Sequence, residues 1–143
     1  MESRNSILKI IEMDWIMEEI YILKLRFPNF DNDNVMRAAR TLSEKPVVFN
    51  GRNLEYPKNK VFHAEYDKRT NEIQVVLISS EGGIRKVFDE NRQIYASASV
   101  LSKHMPRLFF SELILSVEPL KSGNKTNLNR VPDLKTAIKL IFF

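Results

Sequence analysis

Cysteine is absent from the 143 residues. Disulfides, zinc–thiolate sites and cysteine nucleophiles are excluded together. Histidine is nearly as scarce, with only His63 and His104. Two imidazoles this far apart, with no thiolate to join them, do not build a dedicated transition-metal site, so neither a metal nor a cofactor is expected. Glycine occurs four times, and the only adjacent pair, Gly82-Gly83, has no lysine-bearing helix start behind it. A phosphate-cradling loop is therefore missing. No apolar run reaches the roughly 18 residues of a membrane span, so no membrane partner is expected. The opening MESRNSILKIIEMDW is interrupted by Lys9, Glu12 and Asp14, unlike a secretory signal. These absences together fit an intracellular protein, cytoplasmic or nuclear.

What is present is an ordinary globular composition. Apolar residues make up 43% of the chain, enough for a real core in one domain spanning residues 1–143. The formal net charge is +4. It is unevenly spread: residues 1–45 hold 7 basic and 8 acidic side chains, and residues 46–143 hold 15 and 10. Such an asymmetry hints at an anionic partner, although solubility alone accounts for an excess of this size.

The apolar spacing of Leu8, Ile11, Trp15 and Ile22 predicts a helix from about residue 6 to 19. Residues 20–27 either continue it or become a strand, because Tyr21, Leu23, Leu25 and Phe27 alternate with Ile22, Lys24 and Arg26. Pro28 ends either form. A second helix begins at a cap from Asp31 or Asp33, buries Val35, Met36, Ala39 and Leu42, and turns Arg37 and Arg40 outward. Asn50-Gly51 between Val47–Phe49 and Arg52–Tyr56 is a strong hairpin signal, because both central positions of the tight turn need positive φ. Further strands are expected at Val61–Tyr66, Glu72–Ser79, Ile84–Phe88 and Leu108–Val117. A short helix capped by Ser97 or Ser99 is expected to run through His104, and residues 118–131 to form a polar loop. Pro132 starts a last helix over Asp133–Phe143. This order predicts an α+β fold, a mostly antiparallel sheet packed by N-terminal helices and a C-terminal helix.

Catalytic constellations are not found, and no enzymatic activity is expected. His63-Ala64-Glu65 has the first half of a deaminase signature, but the cysteines that complete such a site are missing. On a strand His63 and Glu65 share a face, and a hydrogen bond between them is the plainer account. Ser97, Ser99 and Ser102 precede His104, yet no nucleophile elbow surrounds them, and serine at a helix start is ordinarily a cap.

Binding residues are better represented. Arg52, Lys58 and Lys60 form one basic group, Lys68 and Arg69 a second, and Lys121, Lys125 and Arg130 a third in an acid-free loop rich in Asn, Ser and Thr. Cations with amide and hydroxyl donors suit phosphate contacts, and Tyr56 or Phe62 offers a stacking face if exposed. The same residues also fit ordinary solvated loops and a core. A nucleic acid is thus one candidate partner. The other is protein: Leu140, Phe142 and Phe143 fall off the apolar stripe Leu134, Ala137, Ile138 and Ile141 of the last helix, which suggests a homo-oligomer or a partner chain covering them.

The segment VVFNGRNLEYPKNKV resembles one in the N-terminal domain of Argonaute and Piwi proteins, where an apolar strand leads into an Asp-Gly or similar turn followed by a basic residue, Leu, Tyr and Pro. Asn50, Gly51, Arg52, Leu54, Tyr56 and Pro57 carry the match. SASVLSKHMPRLFF is similar to that domain's apolar helix with a basic-His ending and paired phenylalanines, through Val100, Leu101, His104, Phe109 and Phe110. The resemblance covers about residues 35–112. Asn50 stands where an acid is usual, the spacing between the two matches is short, and the chain ends before any guide-end-binding or slicing domain. The resemblance implies a domain of small-RNA silencing that helps handle a guide–target duplex and has no cleavage chemistry.

Overall fold

The computed structural model describes residues 18–28, 30–49, 52–80, 82–88, 93–100 and 108–142. The expected first helix lies almost wholly outside them, as do Asn50-Gly51, residues 101–107 with Ser102 and His104, and Phe143.

The ambiguous stretch 20–27 is a strand, β1 (Glu19–Leu25). Tyr21, Leu23 and Leu25 enter the main core, while Ile20 and Ile22 join a second apolar layer on the opposite face. A strand covered on both sides needs apolar residues at nearly every position, which is why its periodicity looked mixed. Helix α1 (Asn32–Ala38) follows, with the Asp31 side chain accepting from the Asp33 N–H at its start, and it runs into a 3-10 turn over Ala39–Leu42. Val35, Ala38, Ala39 and Leu42 are buried, whereas Arg37 and Arg40 are exposed. Strands β2 (Val47–Phe49) and β3 (Arg52–Asn53) pair antiparallel with Phe49 opposite Arg52, so a two-residue connection joins them. Strands β4 (Asn59–Asp67) and β5 (Glu72–Ser79) form a long hairpin.

Residues 84–88 are not the expected strand. Gly83–Val87 is helix α2, entered through Gly82 at φ +65°. The helix buries Ile84 and Phe88, four apart, and leaves Arg85 and Lys86 outside; alternation would have turned Lys86 inward. The expected helix at Ser97 is corrected too, because β6 (Gln93–Val100) occupies that stretch. Ile94, Ala96 and Ala98 alternate into the core, and Ser99 donates to Glu112 Oε1 at 2.9 Å across to β7 (Phe110–Ser116) instead of capping. The expected loop 118–131 contains two strands, β8 (Asn124–Asn127) and β9 (Asn129–Val131). Their residues have weak strand propensity, and tertiary pairing overrides it.

The strands form two sheets, in the orders β4-β5-β1-β9 and β3-β2-β7-β6-β8. All pairs are antiparallel except β2 with β7. The fold is therefore α+β and dominated by mostly antiparallel sheets. One core joins them, with Tyr21, Leu77, Phe110, Leu113 and Leu128 fully buried, and Phe27 stacks on Phe110 at 5.2 Å. The sheets meet at both margins. On one, Pro46 bridges Lys60, Glu44 N–H donates to Val61 O (2.8 Å) and Val61 N–H to Lys45 O (2.9 Å). On the other, the chain passes from β8 in the second sheet to β9 in the first with only buried Leu128 between them. Helix α3 (Leu134–Phe142) covers the outer face of the first sheet through Leu134, Ala137 and Ile141, against Ile20, Val76 and Val131.

Candidate nucleic-acid interface

The margin at Leu128 is where the two sheets part. β9 pairs with β1 only from Ile20 to Ile22. Beyond that, β8 turns away to pair with β6, and the next backbone groups of β1 lose their ladder partners. Side chains replace them. Lys24 N–H donates to Thr126 Oγ1 (3.2 Å), Arg26 N–H to Asn124 Oδ1 (2.7 Å), and Asn124 Nδ2–H to Lys24 O (3.1 Å). The backbone is thus satisfied without closing the ladder, as its strong polar groups require. What remains is a groove of about 410 Å³ along the seam.

Both sheets supply its walls. Ile22, Lys24, Gln74 and Asn129 come from the first, and Gln93, Lys125 and Asn127 from the second. Arg26 also lines it and is held by the buried carboxylate of Glu72 (3.0 Å). Lys24 makes no ion pair among the described residues, and Lys125 lies 6.0 Å from the centroid of the Tyr95 ring. Gln74, Gln93, Asn127 and Asn129 make no side-chain hydrogen bond among the described residues.

Separate depressions share lining residues with the groove. Gln74 is shared with a depression lined by Lys68, Arg69 and Ile141. There Asp67 Oδ1 accepts the backbone N–H of Arg69 (2.9 Å), and that bond holds the carboxyl below its ordinary range, aided by the guanidinium. In the other direction Arg26 leads to Phe27 and Pro28, and these to exposed Phe30 beside Lys121. Of the expected basic groups, Lys125 lines the groove itself, and Lys68 with Arg69 and Lys121 line depressions that are linked to it through shared residues.

The remaining sequence candidates fall elsewhere. Lys58 and Lys60 lie at the start of β4, and Lys68 follows its end, roughly 26 Å away along a nine-residue strand. Lys58 pairs with Glu55 (3.4 Å) and Lys60 with Glu44 (2.8 Å); the bond to Glu44 raises the Lys60 pKa. Arg52 lies on β3, in the second sheet. Arg130 lies 3.8 Å from buried Glu19, which Arg85 also contacts at 3.3 Å, so its role there is to balance a buried carboxylate. Tyr56 is exposed and donates to Glu44 O, whereas Phe62 packs under α3. His63 Nε2 lies 3.8 Å from Glu65 Oε2, next to a register shift in β4. Leu140 is 60% exposed and Phe142 is in the last turn of α3. Among the described residues no cluster of three metal-ligating side chains occurs, and no helix is long and apolar enough to cross a membrane.

Sequence reasoning missed Lys24, Arg26 and the four amides. The alternation of Lys24 and Arg26 with inward leucines was visible, but the strand that parts from them lies about a hundred residues away, with a separation of 102 between Lys24 and Thr126. No protein-family model matches this sequence, and neither the curated proteins nor the solved structures give a significant match.

Proposed function

We propose that the protein is a non-enzymatic RNA-binding module that takes its ligand along the seam groove. The observation that carries this reading is the parting of β1 from β8. It leaves a groove with cations on its rim and four amides that make no side-chain hydrogen bond among the described residues. Lys24, Lys125 and Lys68 suit phosphate oxygens, which fix the position of a nucleic acid without reading its sequence. A peptide adding itself as a strand is disfavoured, because Asn124 and Thr126 already engage the exposed backbone of Lys24 and Arg26. The resemblance of residues 47–57 to the Argonaute and Piwi N-terminal segment favours RNA and a place in small-RNA silencing.

An assembly role for α3 has only the exposure of Leu140 behind it among the described residues. One exposed leucine is ordinary on a folded surface.

Fluorescence anisotropy with a labelled oligoribonucleotide tests the proposal. Lys24→Gln with Lys125→Gln should weaken binding by roughly tenfold at low salt while the melting temperature stays within a few degrees. Equal affinity of the variant and the parent protein would sink the seam as the site.

A further inference from the structure

The groove lining is more specific than phosphate binding needs. We infer that the seam seats one unpaired nucleobase, so the ligand is single-stranded at that point; this rests on the reading of the groove as an RNA site. Backbone contacts alone would be served by the rim cations. The amides have a different chemistry. Each carries two donors and an acceptor side by side, the pattern that meets the adjacent donor and acceptor on a base edge.

Their placement suits a base between two walls. Gln74 and Asn129 come from the first sheet, Gln93 and Asn127 from the second, and half-buried Ile22 adds apolar surface. The volume of about 410 Å³ lies in the lower part of the small-ligand range of roughly 300–1,000 Å³. In a duplex the pairing edges face one another, and the deep, narrow major groove of A-form RNA keeps side chains from its bases. Gln74 is half-buried and Gln93, Asn127 and Asn129 are exposed along the groove walls, and a base splayed out of its helix or never paired offers them its whole pairing edge.

Three probes of one sequence separate the outcomes: a short single-stranded RNA, its blunt duplex, and a strand of equal length whose positions are abasic. At fixed low salt the intact protein should bind the single strand about tenfold tighter than either of the others. Gln93→Leu with Asn127→Leu should bring the single strand close to the abasic affinity. Equal binding of the abasic and intact strands, or of the duplex and the single strand, overturns the base-seating inference and leaves the phosphate reading standing. Failure of all three probes to bind overturns both. The abasic comparison uses the unmodified protein, so a variant that misfolds does not rescue the inference.

Discussion

Gly123 and Asn124 make opposite demands on adjacent positions. Gly123 has φ +87°, and a Cβ there would lie 2.0 Å from Ala96 O and 2.8 Å from Ser97 Cβ. Only glycine permits that approach, and the approach sets Asn124 where its amide reaches both Lys24 O and Arg26 N–H. Gly123→Ala should therefore destabilise the fold by roughly 2–5 kcal/mol, combining backbone strain with overpacking. Urea unfolding measures it, and an unshifted midpoint would show that no such contact exists. Asp133 gives a pH-dependent counterpart. Its Oδ1 accepts the Thr136 N–H at 2.7 Å, and this bond, followed by one from the Thr136 side chain, lowers the carboxyl pKa from 3.8. A lowered folded pKa means that the capping stabilisation is complete above the unfolded value and fades as pH falls through the folded one. Carboxyl titration by NMR should place the Asp133 midpoint below 3.8. A midpoint at or above that value contradicts the cap.

At the scale of elements, α3 tests how far a periodic pattern can be trusted. Leu134, Ala137 and Ile141 pack against the first sheet, and Leu140, off the stripe, is exposed. Leu140→Asp should change stability by no more than about 0.5 kcal/mol, whereas Ala137→Asp buries a charge and should cost several. Thermal melts of the two variants side by side decide the matter, and equal shifts would mean that α3 does not pack by this face. α3 was legible because its apolar stripe and its Pro132 start agree within one segment. The β4–β5 hairpin was legible for a similar reason, with Val61–Tyr66 and Glu72–Ser79 separated by a polar turn. β8 and β9 were not, because Asn124, Lys125, Asn127 and Asn129 carry no strand preference of their own. Their state is set by β6 and β1, whose positions no local signal reports. The candidate site suffered most from this. Lys68, Arg69, Lys121 and Lys125 could be named as cations from composition. That Lys125 lines the seam groove while Lys68 with Arg69 and Lys121 line neighbouring depressions, and that Lys58, Lys60 and Arg130 line none of these, depends on the sheet order.

The whole molecule carries a modest positive charge, +4, of which only part faces the seam. Lys24, Lys68 and Lys125 make no ion pair among the described residues, while Arg26 and Arg69 are partly neutralised by Glu72 and Asp67. Three phosphate contacts on a single strand give a slope of about −2 in log affinity against log salt. A measured slope near zero would show that the ligand is not held through these lysines, and one several units steeper would require the distant basic group at Lys58 and Lys60 as well.

The one-residue crossing at Leu128 also bears on how the chain comes off the ribosome. β1 is made early, but the strand that covers its second edge ends at Val131, so Ile20 and Val131 pair across most of the sequence. Until that stretch emerges, an apolar strand with an open row of backbone groups is exposed to other nascent chains. The same crossing links the two sheets, so late arrival of residues 124–131 delays the seam and the pairing of β6 with β8 together. Long-range closure of this kind is slow. A chain stalled before Val131 would expose the adhesive edge of β1 and lack the finished groove.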